Sequence, residues 1–151
     1  IRYPGLISTD TVPTGGTSDY VPEMIHAAAR GEHYNCFVRA DSTIPFMTMP
    51  EAIEATLQLA GAGRKSLSKI VYNIASFSPS AGEVSDLVKQ YFPKASIDFV
   101  PDERRQAIVD SWPSEVNCDA AKQDWDFSPS WTLEQAFEHY FIPNITKRYE
   151  A

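Results

Sequence analysis

The chain has 151 residues, 13 Lys plus Arg against 20 Asp plus Glu, and a formal charge of −7. With 43% hydrophobic and 12% aromatic residues it can build a real core, which excludes wholesale disorder. The acidic balance excludes nucleic-acid binding driven by counterion release, two cysteines exclude a disulfide scaffold, and no apolar run approaches the roughly 18 residues of a membrane span.

The chain opens at Ile1 inside what reads as a short buried strand over residues 1–8, broken by Pro4-Gly5. That abrupt opening reads as a piece of something longer. A polar loop follows from Ser8 to Asp19, with Pro13 and the Gly15-Gly16 pair, long enough to suggest function. Asp19 is placed to cap a helix that has Pro22 in its first turn, carries Met24, Ile25 and Ala27–Ala29, and stops at Gly31. Strand-like segments come next, around Tyr34–Val38 and Ile44–Met49. Pro50 then opens a helix whose predicted apolar face is Ala52, Ile53, Thr56, Leu57 and Ala60.

Lys69–Ala75 is the strongest strand signal in the chain. Ser78-Pro79-Ser80 starts a helix through Val84, Leu87, Val88 and Tyr91, and Ser96–Val100 alternates as a strand. Arg104–Ser111 reads as helical, closed by Trp112-Pro113. Asn117 or Asp119 begins a short helix near Trp125, and Thr132–Phe141 is a last amphipathic helix. Helices interleaved with short strands in one unit mean α/β or α+β.

Two segments can carry chemistry. The loop Pro13-Thr14-Gly15-Gly16-Thr17-Ser18-Asp19 offers backbone amides and hydroxyls to a carboxylate or phosphate, although it lacks the Gly-Lys-Ser/Thr ending of a P-loop. A flexible turn plus a helix cap explains the same residues. In Arg104-Arg105-Gln106 through Trp112-Pro113, an Arg pair suits a bidentate anion and Trp112 suits an apolar lid. A surface helix with its Trp packed on the core is the plainer reading. His26, His33 and His139 are scattered without metal-ligand spacing, so no metal site is predicted. Cys36 reads as a buried thiol, and Cys118 has no His near it in sequence.

Taken together, several segments resemble one family: Arg2 to Ser8, Pro13 to Tyr20, Pro45 to Ala52, Tyr72-Asn73-Ile74, Arg105 to Pro113, and Ala121 to Trp125. They resemble the C-terminal half of the short-chain-type L-threonine 3-dehydrogenases, extended short-chain dehydrogenases close to the nucleotide-sugar epimerases. The fold this implies is α/β, the last strands of a Rossmann-type sheet plus a small α/β substrate-binding domain, with residues 1–151 as that C-terminal portion. The activity it implies is NAD-dependent oxidation of the L-threonine 3-hydroxyl to 2-amino-3-ketobutyrate. The family's Tyr-x-x-x-Lys pair and glycine-rich cofactor fingerprint are absent from this sequence. The catalytic residues are therefore expected in an N-terminal Rossmann half, and this chain alone is expected to be inactive.

Position by position, Leu6 matches the residue whose backbone meets the nicotinamide end of NAD. Gly16, Thr17 and Ser18 match the loop that holds the substrate head group, with Ser18 where many relatives have Thr. Trp112 matches the aromatic that closes over the substrate, with Arg105 and Asp110 placed to orient it. The resemblance also implies a homodimeric parent, in the cytoplasm of a bacterium or the mitochondrion of a eukaryote. Two other readings stay open: half of a nucleotide-sugar epimerase or dehydratase, which needs a basic cleft for two phosphates, and a non-catalytic interaction module.

Overall fold

Strands β1 (Gly5–Ile7), β2 (His33–Cys36), β3 (Phe46–Thr48) and β4 (Ser96–Phe99) form two separate parallel pairs, β1 with β3 and β2 with β4. Leu6 faces Met47 in the first pair and Tyr34 faces Ile97 in the second. The computed structural model describes residues 1–150. Parallel neighbours need crossover connections, and helices supply them. α1 (Tyr20–Ala29) lies between β1 and β3, while α2 (Met49–Gly61) and α3 (Ala81–Tyr91) lie between β2 and β4. The architecture is the α/β arrangement that the order of elements implies.

β3 divides the interior. Successive strand side chains point to opposite faces. Phe46 therefore enters a core with Tyr20, Met24, Phe137 and Phe141, and Met47 enters a second core with Ile74, Tyr72 and Trp125. α1 is buried on nearly every side, through Tyr20, Val21, Met24, Ile25 and His26. Thr48 and Glu51 form a capping box that starts α2, and Ser80 and Glu83 form another that starts α3, each satisfying amides that a helix start leaves unpaired. Glu51 is itself buried, and its second oxygen accepts the Ser130 and Trp131 N–H groups at 2.9 and 3.2 Å.

Three expectations fail here. Lys69–Ala75 is not a strand: it makes one bridge, Asn73 with Arg2, and Ile70 is wholly exposed. β-branched residues favour a pleated, half-buried surface, and without a neighbouring backbone that preference forms no ladder. α2 is rolled relative to the predicted face. Ala52 and Ala55 pack inward, whereas Ile53 and Leu57 are 54% and 68% exposed. Small residues let the helix approach β1 and β3 closely, and Thr56 then meets the Tyr3 hydroxyl. The last helix also outruns its predicted end. It begins as α6 (Leu133–Ala136), passes through a π-helical turn at Phe137–Phe141, and continues as α7 (Ile142–Tyr149). The helix interior is hostile to Pro143 because proline has no N–H to donate. The wider turn just before it gives the chain one extra residue in which to re-register. Between the early and late helices, α4 (Glu103–Asp110) and α5 (Asp119–Trp125) follow β4.

The C-terminal turn closes over α1. His26 is 1% exposed, with Nδ1 2.7 Å from the Tyr149 hydroxyl, which also accepts from Arg30. Burial foremost, then the Arg148 and Arg30 charges, pull the His26 pKa down to about 4, against an opposing pull from the Thr11 carbonyl. The folded chain thus keeps His26 neutral, while an unfolded histidine protonates near pH ~6.5. Between those values the unfolded state binds the additional proton. Stability is full above the upper value and falls on acidification through the window by up to about 1.4 kcal/mol per pH unit. Urea unfolding should therefore show a lower midpoint at pH 5 than at pH 7, and His26→Gln should shrink that difference. Equal midpoints in the unsubstituted chain would contradict the assignment.

Candidate functional site

The loop after β1 is held at its base and at its tip. At the base, Arg148 donates to the Thr9 and Asp10 carbonyls at 3.4 and 3.2 Å, and the Thr9 N–H donates to the Tyr140 hydroxyl at 3.2 Å. At the tip, Gly15 has φ +91°, a left-handed conformation that a side chain strains. Asp19 occupies the N-cap position of α1 but makes no side-chain bond to the helix. Its carboxylate turns back and accepts the Thr14 and Gly16 N–H groups at 3.2 and 2.8 Å. The predicted helix cap is therefore a loop cap. A Cβ on Gly16 would stand 3.1 Å from the Asp19 carboxylate oxygens, so residue 16 has little room for anything larger.

Arg105 completes the tip. Its Nη2 donates to the Gly15 and Gly16 carbonyls at 3.2 and 2.8 Å, and its guanidinium lies over the Phe37 ring. The peptide groups on either side of Gly16 are thus engaged by Asp19 and Arg105. The amides and hydroxyls of Thr17 and Ser18 make no hydrogen bond among the described residues. These four donors are free beside a turn whose Thr14 and Gly16 amides and Gly15 and Gly16 carbonyls have partners.

α4 is bolted down by its polar side chains. Asp102 accepts the Arg104 and Arg105 N–H groups at its start. Buried Gln106 accepts the Arg39 N–H at 2.7 Å and donates to the Ser42 hydroxyl at 3.0 Å and to Asp110 at 2.7 Å. Asp110 receives both ends of the Arg39 guanidinium at 3.0 and 2.9 Å. That guanidinium, then Gln106, holds the Asp110 carboxyl below the usual carboxylate range. Trp112 follows the helix end, 39% exposed.

Trp112 and Ser18 line one cleft of about 440 Å³ together with Arg2, Tyr3, Asn73 and Ile74. Gly16 and Thr17 adjoin Ser18 in the turn but are not among its lining residues. Leu6 lies elsewhere. Its side chain packs on the Met47 core, and it borders a smaller hollow of about 260 Å³ with Pro13, Thr14 and Asp19. The structure thus brings Ser18 and Trp112 together and sets Leu6 apart from them. Arg105 and Asp110 make no hydrogen bond to Trp112; they grip the loop and Arg39 instead. The Arg104-Arg105 pair is not a free anion fork, since Arg105 is engaged by carbonyls. Arg2 and Asn73 were not legible as cleft residues, because a lone Arg and an Asn within an apolar run form no pattern. A larger groove of about 640 Å³ between α3 and residues 129–135 is shallower and is lined by Glu83, Asp86 and Glu134.

The rest of the chemistry is quiet. Burial pushes the Cys36 thiol up to about 11 and raises that of Cys118 as well, the opposite of an activated thiolate. Among the described residues, no group of three or more His, Cys, Asp or Glu is placed to hold a metal ion. No helix there is long and apolar enough to cross a membrane. In the glycine turn, the Gly15 and Gly16 carbonyls and the Gly16 amide already have partners within the protein.

No protein-family model matches the chain. It is 34% identical over 135 residues to the mitochondrial L-threonine 3-dehydrogenase of Bos taurus, covering 89% of this chain and 36% of that protein. It is 35% identical over 134 residues to an uncharacterized epimerase/dehydratase of Staphylococcus saprophyticus, covering 88% of this chain and 42% of that protein. Among solved structures, the apo GalE-like L-threonine dehydrogenase from Cupriavidus necator matches with TM-score 0.89 and 36% identity, over 98% of this chain and 52% of that one. L-threonine dehydrogenase from Clostridium difficile matches with TM-score 0.93 and 30% identity, over 100% of this chain and 47% of that one. The fold is therefore the α/β fold of part of an epimerase-like short-chain dehydrogenase. The homologues and structural neighbours are L-threonine 3-dehydrogenases and epimerase/dehydratase proteins, and the chain spans 36% to 52% of the length of those it matches.

The loop geometry separates structural from ligand-directed residues. Gly15→Ala should lower the unfolding free energy by about 1–3 kcal/mol through its positive φ. Ser18→Ala, which removes a hydroxyl without a partner in the protein, should stay within about 0.5 kcal/mol. Urea unfolding checks both; equal losses would make Ser18 a structural residue.

Proposed function

We propose that residues 1–151 are the substrate-binding portion of a longer NAD-dependent L-threonine 3-dehydrogenase, which oxidises threonine to 2-amino-3-ketobutyrate. The observation that carries this reading is one cleft lined by Ser18, which has free donors, together with Trp112 and Arg2. A threonine carboxylate suits the amides and hydroxyls of Thr17 and Ser18, with the Arg2 charge to complement it. Trp112 supplies an apolar wall that removes water from around the reacting hydroxyl. NAD, when bound, accepts the hydride from the substrate. This chain contributes Leu6 at the edge of that cofactor and no catalytic residue; the general base and the pyrophosphate site belong to the Rossmann half of the longer protein.

The similarity of most of the chain to L-threonine 3-dehydrogenases supports the substrate. A nucleotide sugar requires cations for two phosphates. Arg105 is engaged by the loop and Arg104 is exposed on α4, which leaves Arg2 alone in the cleft.

The longer protein, with its cofactor half, should form NADH in the presence of L-threonine, and the 151-residue chain alone should not. Trp112→Ala in the longer protein should lower kcat/KM for threonine by about 10–100-fold, the scale of one buried aromatic contact, and leave the KM for NAD nearly unchanged. Parallel losses for both would make Trp112 a packing residue. Turnover of a nucleotide sugar in place of threonine would overturn the substrate.

A further inference from the structure

The Gly15–Ser18 turn should be conformationally free, because two adjacent glycines sit at its tip. It is held instead from outside, by a residue 89 positions away in the chain. A trans peptide is planar, with its C=O and N–H pointing in opposite directions. The direction of one group therefore sets the direction of the other.

Arg105 holds the Gly15 carbonyl, and the N–H of that same peptide, on Gly16, points into the Asp19 carboxylate. Arg105 also holds the Gly16 carbonyl, and the N–H of that peptide belongs to Thr17. The Thr17 amide is thereby turned away from Arg105 and left without a partner in the protein. The Asp19 N–H also donates to the Gly16 carbonyl, at 3.0 Å, so Arg105 shares this peptide with Asp19.

We propose that Arg105 is a positioning residue for substrate recognition: by clasping the Gly15 and Gly16 carbonyls it fixes the two peptide planes that lead into Thr17, which sets the Thr17 amide directly and the neighbouring Ser18 through the turn, toward the substrate carboxylate. The proposal rests on the reading of this cleft as the amino-acid site and adds to it the device that shapes the loop. The clasp has a rigid base. Arg105 springs from the first turn of α4, capped by Asp102, and its neighbour Gln106 is buried against Arg39 and Ser42. The same helix ends one residue before Ser111-Trp112. One element therefore holds the loop from its first turn and carries Trp112 just past its last. The flat guanidinium matters as much as the charge: Nη2 reaches both carbonyls while the plane rests on the Phe37 ring, and a lysine ammonium keeps the charge without that plane.

Two measurements test this. In the first, hydrogen exchange is compared between the 151-residue chain and its Arg105→Gln and Arg105→Lys variants. The Gly16 and Asp19 amides should exchange about tenfold faster in Arg105→Gln, the scale of one lost charge-assisted hydrogen bond. Protection across α1 and α4 should be unchanged, and Arg105→Lys should fall between. In the second, steady-state kinetics are measured on the longer protein. Arg105→Gln should raise the KM for threonine by about tenfold on the same scale, with kcat and the KM for NAD nearly unchanged and partial rescue by Arg105→Lys.

Unchanged exchange at Gly16 overturns the clasp. Faster exchange with an unchanged threonine KM, or equal rises in both KM values, overturns the positioning role. A longer protein that oxidises no threonine before any substitution overturns the functional reading and this proposal with it; intact turnover with unchanged exchange overturns the role of Arg105 alone.

Discussion

The buried Gln106 side chain is the contact on which the site depends. It joins α4 to the backbone at Arg39 and to Ser42, and it braces Asp110 one turn along the same helix; a buried amide left with these partners missing would be costly. Because that grip is satisfied, α4 stands in one place. Everything the helix carries is then fixed with it: Arg105 on the glycine turn, Asp110 on Arg39, and Trp112 at the cleft. A site assembled from a loop becomes precise when rigid elements hold the loop, and here α4 and the C-terminal helix do so from opposite ends.

The burial pattern explains why this small chain can hold such a loop. β3 is covered on both faces, as parallel strands usually are, and it separates one core around Tyr20 and Phe137 from another around Trp125 and Tyr72. Both cores meet the strand pair that delivers the loop. Leu6 packs toward the second, while Ile7 is buried in the first. The outer face of α2 and the Ile70-Val71 segment remain exposed, an apolar surface outside both cores.

Much of this was legible in the residues. Pro50, Ser80 and the turn at Gly31 marked helix ends through local chemistry, and local chemistry is what a sequence displays. The glycine turn and Trp112 stood out for the same reason. What escaped was decided by contacts distant in the chain. Lys69–Ala75 has every strand preference yet only Arg2 to bridge. α2 has two apolar stripes, and the smaller one won because close approach to the strands favours alanine. Asp19 looked like a helix cap because the sequence shows its distance from the helix but not the open amides of Thr14 and Gly16 behind it. Arg105 looked like an anion site because no pattern foretells that its anion-like partners are two carbonyls of the same chain.

The most direct test of the account is a structure of the longer protein with L-threonine and NAD bound. The account predicts the threonine carboxylate within about 3 Å of the Thr17 and Ser18 donors, as hydrogen bonds require, with Trp112 against the substrate and Arg105 still on the Gly15 and Gly16 carbonyls. Threonine bound outside this cleft, or a carboxylate that displaces Arg105 from the loop to bind it directly, would contradict it.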